Sequence, residues 1–199
     1  MKIQQLLASA AVLFAPLAYA TPIDEYANTV IDYSSNYPGW APSAALGAPD
    51  TPLYGDHTTA WAPLPMNGTL EFIAVGFPTP VYADGVTIRE TYGNGFVYRI
   101  DAFDSSSQLH TVWSGTDPSL PVAPVDFLAS FAQTSYLVTG LKIYTDTDHN
   151  LYAWEEIDSI QLHGDTVIGN PVGDATSTLG LISLSLAALM TLRRRAGRT

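Results

Sequence analysis

The chain has 199 residues, 47% of them hydrophobic and 11% aromatic, enough to bury one core and hardly two. It contains no cysteine, so disulfides are excluded and the fold must rest on its core or on bound metal. Between residues 21 and 174 only Arg89, Arg99 and Lys142 stand against all 19 acids, a net charge of −16 that argues against nucleic acid as a partner.

Residues 1–20 have the three parts of a secretory signal peptide. Lys2 gives the basic start, residues 6–17 the apolar stretch, and Ala18, Tyr19 and Ala20 the small-x-small cleavage site. The mature chain is expected to begin at Thr21. From there the pattern is short period-2 segments broken by Gly, Pro, Asp and Asn, without a long amphipathic helix. Strands are expected at 29–33, 69–75, 86–91, 96–103, 109–113, 125–131, 136–144 and 156–163. One short helix is expected at "PSAALGAPD", capped by Ser43 and stopped by Gly47 and Pro49. In the stretch around residues 96–102 one face is apolar and the other carries Arg99 and Asp101, as in a sheet with one wet side. The expected fold is all-β, a single jelly-roll sandwich of about eight strands over residues 21–168. Long loops at 49–66 and 116–124 are left as candidate carriers of function.

The chain closes with a linker at 169–178 and an apolar helix with a basic tail at 179–199. The apolar run 179–192 has 14 residues, short of the roughly 20 needed to span a bilayer, and Arg193, Arg194 and Arg195 follow it. The order of polar spacer, short apolar helix and basic cluster resembles the sorting signals of the PEP-CTERM class, whose tails an exosortase-type membrane protease is thought to remove. The resemblance covers residues 170–199. It departs from the Pro-Glu-Pro signature, since residues 174–178 read Asp-Ala-Thr-Ser-Thr. A plain, uncut C-terminal membrane anchor is the other reading of this tail.

Three stretches inside the domain, "SAALGAPD", "GVTIRETYGNGFVYRIDAFD" and "WEEIDSIQLHG", resemble in order and spacing the galactose-binding-like, discoidin-type jelly rolls of secreted bacterial proteins. That resemblance spans residues 26–164. It implies a non-catalytic sandwich, often sugar-binding, with a structural calcium ion where the first loop meets the last strand. Asp158 shares a strand face with Glu156, Ile160 and Leu162 and is expected to point inward. With Asp50 from the first loop, Glu156 and Asp158 are the candidate calcium ligands. The alternative is that Asp158 accepts backbone hydrogen bonds from the "LGAPD" turn. Asp146, Asp148 and Asn150 follow a D-x-D-x-N spacing, but Leu151 and Ile157 occupy the positions where an EF-hand needs Gly and Glu.

For a glycan partner, Trp40, Tyr54, His57 and Trp61 in the first loops and Tyr92 and Asn94 on a hairpin tip are the candidate ligand-binding residues, Tyr37 lying beside them. Trp113 and Trp154 are assigned to the core. No catalytic residues are assigned. Glu155 and Glu156 are adjacent and point to opposite strand faces, which excludes a facing glycosidase pair, and neither H-E-x-x-H nor G-x-S-x-G occurs. Two readings stand above an enzyme: a carbohydrate-binding surface module, and a structural matrix or biofilm protein without a specific ligand.

Overall fold

The structure, a computed structural model, describes residues 21–169. The expected leader, sorting motif and apolar tail lie outside the described residues. Among those described, no helix is long and apolar enough to cross a membrane.

Eight strands form the fold in antiparallel pairs: β1 (Pro22–Tyr26), β2 (Thr29–Tyr33), β3 (Leu70–Tyr92), β4 (Val97–Asp104), β5 (Leu109–Ser114), β6 (Val125–Ser130), β7 (Val138–Asp146) and β8 (Glu156–Asp165). The first half of β3 lies between β2 and β7, and β4 and β5 complete that sheet. Its second half lies between β6 and β8, with β1 on the outer edge of β8. The expected jelly-roll sandwich is therefore present.

β3 joins what the sequence pattern separates into strands at 69–75 and 86–91. Pro78 and Pro80 lack N–H groups, and the chain there is exposed while its pairing register shifts between Gly76 and Val81. Side-chain capture replaces the ladder at this point, with the Thr79 N–H donating to Glu25 Oε1 at 2.9 Å. The strand thus crosses from one sheet to the other without a loop. β1, which the pattern did not announce, is a short edge strand held on β8. The expected helix is one 3-10 turn, Pro42–Ala45, started by Ala41 and Pro42 rather than capped by Ser43.

The core lies between the sheets, with Ile73, Val75, Val86, Ile88, Ile100, Leu141, Ile143, Ile157, Ile160 and Leu162 all buried. Alternation explains most of it: in β7, Val138, Gly140 and Leu141 are followed by buried Ile143 and Thr145, with Lys142 and Tyr144 half-exposed. Near β8 the alternation fails. The ladder of β3 with β8 shifts register twice between Arg89 and Tyr92, and Trp61 at the end of the first loop pairs with Ile157, so Glu156, Ile157, Asp158 and Ser159 are buried in succession. Glu156 and Asp158 are thereby covered by the first long loop, while Ile157 belongs to the core.

Candidate functional site

Four connections meet at one end of the sandwich: residues 34–69, 93–96, 115–124 and 147–155. Backbone requirements bring them together. Gly93 has φ +66°, and a Cβ there would stand 2.6 Å from the Trp154 carbonyl oxygen; Gly95 has φ +99°, and a Cβ would stand 2.7 Å from the Ser119 carbonyl oxygen. The hairpin tip between β3 and β4 therefore touches both of its neighbours closely. His149 Nε2 adds a 2.9 Å contact to the Asn94 carbonyl oxygen.

The first loop is fastened to β8 by the two inward carboxylates. Asp158 accepts from the Asp50 N–H at 3.2 Å, the Thr51 N–H at 3.3 Å and the Thr51 hydroxyl at 2.8 Å. Glu156 accepts from Trp40 Nε1 at 3.0 Å and from the His57 N–H at 3.2 Å. Burial pushes the Glu156 acid up to about 8, with the neighbouring Asp56 carboxyl adding to the rise and the His57 and Trp40 donors opposing it. Burial also raises the Asp158 pKa, with the Thr51 hydroxyl and the Thr51 and Asp50 N–H groups opposing the rise and the Asp50 carboxyl adding to it.

The calcium expectation can be tested on these contacts. Asp158 is surrounded by N–H and O–H donors, the alternative that the "LGAPD" turn allowed, and Glu156 is turned to a different part of the loop. Asp50 contributes its backbone N–H to Asp158, its carboxyl lies within hydrogen-bonding reach of the Asp158 carboxyl, and the residue is exposed. Among the described residues no three His, Cys, Asp or Glu side chains converge in a metal-binding group. The structure thus brings Asp50 and Asp158 together and leaves Glu156 with Asp56, so the three expected ligands are not gathered in one group.

The glycan candidates separate. Trp61 is fully buried, its ring in the core and its Nε1 donating to the Ser35 carbonyl oxygen at 3.1 Å, so it offers no face to a ligand. Asn94 is also fully buried and spends its amide N–H groups on the Leu120 and Ala123 carbonyl oxygens. Tyr54 and Tyr92 meet edge to face with ring centres 5.4 Å apart, both half-buried. His57 contributes its backbone to Glu156. Trp40 remains open on one side, packed edge-on to Tyr37 at 5.2 Å, and Tyr37 in turn packs on Trp154 at 5.0 Å. Trp154 is thus not in the core as expected. It forms a notch of about 120 Å³ with Tyr37, Trp40, Asp56 and Ala62.

This notch has the chemistry of a small polyol site: rings that cover apolar C–H faces and one carboxylate that accepts hydroxyl hydrogen bonds. No cation lines it. The three basic residues of the domain are engaged elsewhere, Arg99 on Asp101 at 2.6 Å, Arg89 on Asp126 at 3.2 Å, and Lys142 over the Phe72 ring at 3.4 Å. Sequence reasoning missed Asp56 and Trp154, because nothing in their spacing shows that residues 98 positions apart meet.

A second, shallower groove of about 470 Å³ runs over β3, β6 and β8, lined by Thr87, Leu128, Phe131 and His163 among others. In it Thr87 Oγ1 lies 2.7 Å from His163 Nε2, and His163 Nδ1 lies 2.6 Å from Asp24 Oδ1. This hydroxyl–imidazole–carboxylate chain is a cross-strand arrangement from β3, β8 and β1. β3 is hydrogen-bonded on both edges there, so the flanking N–H groups are committed to ladders rather than free to stabilise an oxyanion.

No family model and no curated protein matches the chain in sequence. Its fold does match solved structures. The family 32 carbohydrate-binding module of C. perfringens NanJ, solved in complex with galactose, aligns with TM-score 0.51 at 14% identity, over 71% of this chain and 99% of that one. The likeness is one of fold. A chain from the X-ray structure of reduced XRCC1 bound to the DNA pol beta catalytic domain aligns with TM-score 0.52 at 12% identity, again over 71% of this chain and 99% of that one. The same jelly roll thus occurs in a sugar-bound module and in a complex with a polymerase, and the ligand must be argued from the site.

Proposed function

We propose that this chain is an exported, non-catalytic carbohydrate-binding module that takes an uncharged or amino sugar at the notch formed by Tyr37, Trp40 and Trp154 over Asp56. The observation that carries the reading is the notch itself: three aromatic rings and a carboxylate at the loop end of the sandwich. The fold shared with a module solved with galactose supports it. The acidic wall and the absence of a lining cation disfavour anionic glycans. Trp40 is held on Glu156, so the platform is pre-organised and loses little side-chain entropy on binding.

The leader-like residues 1–20 and the tail at 170–199 support delivery to the cell envelope, with the tail as a transient membrane anchor and substrate of an exosortase-type protease. Recovery of the intact C-terminus Thr199 from the mature protein of its native host would leave a plain anchor instead.

A glycan array on the full chain tests the binding reading. Binding should be lost or weakened roughly tenfold in Trp154→Ala and Asp56→Asn, since one stacking or hydrogen-bonding contact contributes on the order of 1 kcal/mol or more. Failure on every glycan, or binding untouched by both substitutions, would overturn it and leave a matrix protein without a specific ligand at this site.

A further inference from the structure

At the same end of the sandwich, three side chains carry oxygens that no protein group satisfies. Glu90 Oε1, Asn94 Oδ1 and Asp117 Oδ2 have no hydrogen-bond partner, and their residues are 0%, 0% and 3% exposed. Their other polar atoms are committed. Glu90 Oε2 accepts from the Gly95 N–H at 2.8 Å, Asp117 Oδ1 accepts from the Ser119 N–H at 2.8 Å, and Asn94 Nδ2 donates to the Leu120 and Ala123 carbonyl oxygens at 3.1 and 2.8 Å. The Glu90 and Asp117 carboxyl groups lie within hydrogen-bonding reach of each other.

Their convergence follows from the chain. Glu90 shares the inward face of β3 with Ile88 and holds the hairpin through the Gly95 N–H, Asn94 next to that glycine ties the hairpin to the Leu120 and Ala123 carbonyls, and the same loop brings Asp117 to Glu90. Three buried acceptors without donors need something electropositive. One proton can serve the Glu90–Asp117 pair, yet it leaves Asn94 Oδ1 without a donor. A cation can take all three.

From this geometry we infer that Glu90, Asn94 and Asp117 form a site for a hard divalent cation of the calcium class, which fastens the loop at 115–124 to the β3–β4 hairpin. Two carboxylates and an amide oxygen are a hard, all-oxygen set without the imidazole or thiolate that zinc and copper favour. Calcium's flexible shell suits side chains delivered by a loop better than the octahedron magnesium demands. The loop has need of a fastening. Leu120 and Val122 are 77% and 87% exposed, and Val122 is held at φ 108°.

Thermal melts of the full chain at neutral pH, in calcium chloride and in chelator, test the inference, with calorimetric titration for stoichiometry. Calcium at about 100 times its Kd should raise Tm by roughly 5–10 °C with one ion bound. Glu90→Gln and Asp117→Asn should each remove the calcium-dependent shift while staying folded in chelator, because both keep the side-chain shape and remove a buried acid. Asp158→Asn should retain the shift. A wild-type Tm unchanged by calcium, or a shift that survives Asp117→Asn and disappears in Asp158→Asn, would overturn the site.

Discussion

Replacing Asp158 with alanine removes the acceptor on which the first loop closes, and the cost can be worked from its three donors. Asp50 is exposed, so its N–H can turn to water, and the Thr51 hydroxyl can keep its 2.6 Å contact to Thr59 Oγ1. The Thr51 N–H has no such recourse, because Thr51 is buried. An orphaned buried donor costs about 1–3 kcal/mol, and loss of a charge-assisted bond adds about 1.5–3 kcal/mol. Relief of the buried carboxylate offsets part of this. A net loss of about 2–4 kcal/mol is expected, read as a fall in Tm of roughly 4–16 °C in calorimetry. Asp84→Ala is the control, an exposed acid whose loss should stay within about 0.5 kcal/mol. If Asp158→Ala matches the control in urea melts, the carboxylate does not anchor the loop, and the account of how Asp56 and Trp40 are positioned falls with it.

Other expectations follow from the same end of the molecule. Both oxygens of buried Glu155 lack partners, and burial pushes its acid up to about 9, with Asp146 and Asp148 adding to the rise. Its stability contribution is full below the unfolded value near 4.5 and is lost as pH rises toward 9, so Glu155→Gln should flatten the fall in stability between about pH 5 and 9 and be more stable than wild type at pH 8; parallel urea-melt curves for the two proteins would refute this. Gly93→Ala should destabilise by more than about 1 kcal/mol, since its Cβ would meet backbone at 2.6 Å where φ is already positive, and an unchanged Tm would mean that the hairpin and Trp154 are not packed as described. Thr87→Val should leave glycan binding unchanged if the notch is the site, and a loss of binding would move the site to the groove over β3 and β8.

Much of this architecture was legible because it is written in period two. β2 was read to the residue at 29–33, and the expected strands at 109–113, 125–131 and 156–163 overlap β5, β6 and β8 with errors of one or two residues at their ends. Alternation does not report where a strand continues past prolines, so β3 was cut in two. Nor does it report β1, whose Pro22, Asp24 and Glu25 leave no apolar alternation to read. At the site, Asp158 is buried as alternation expects but under the first loop, because the register shift gives the core face to Ile157, whereas Glu90 is legible by alternation, two residues from Ile88 on one face. Trp61, Asn94 and Trp154 were misplaced for a different reason. In loops no periodicity links burial to position, and whether an indole faces solvent depends on long-range contacts such as Trp61 with Ser35 and Trp154 with Tyr37.

Most of the buried acids gather at one end: Glu90, Asp117, Glu155, Glu156 and Asp158 lie where the four connections meet, while Glu71 and Asp101 sit on β3 and β4, bonded to Ser35 and to Arg99 and Tyr144, and the β3 crossing around Val81 and Ala83 is sealed by apolar side chains. Each buried carboxyl costs folding free energy that an apolar residue would not, and a domain held by a margin of about 5–15 kcal/mol feels several such costs. Two of the five, Glu156 and Asp158, return that cost by pinning a loop through donors on the same chain. Glu90 and Asp117 find no such donors for one oxygen each, and Glu155 for neither. Loops carrying the notch are therefore held by groups whose charge state changes with pH and cations, on a core that is indifferent to both, so ligand affinity at this end should respond to conditions that leave the sheets intact.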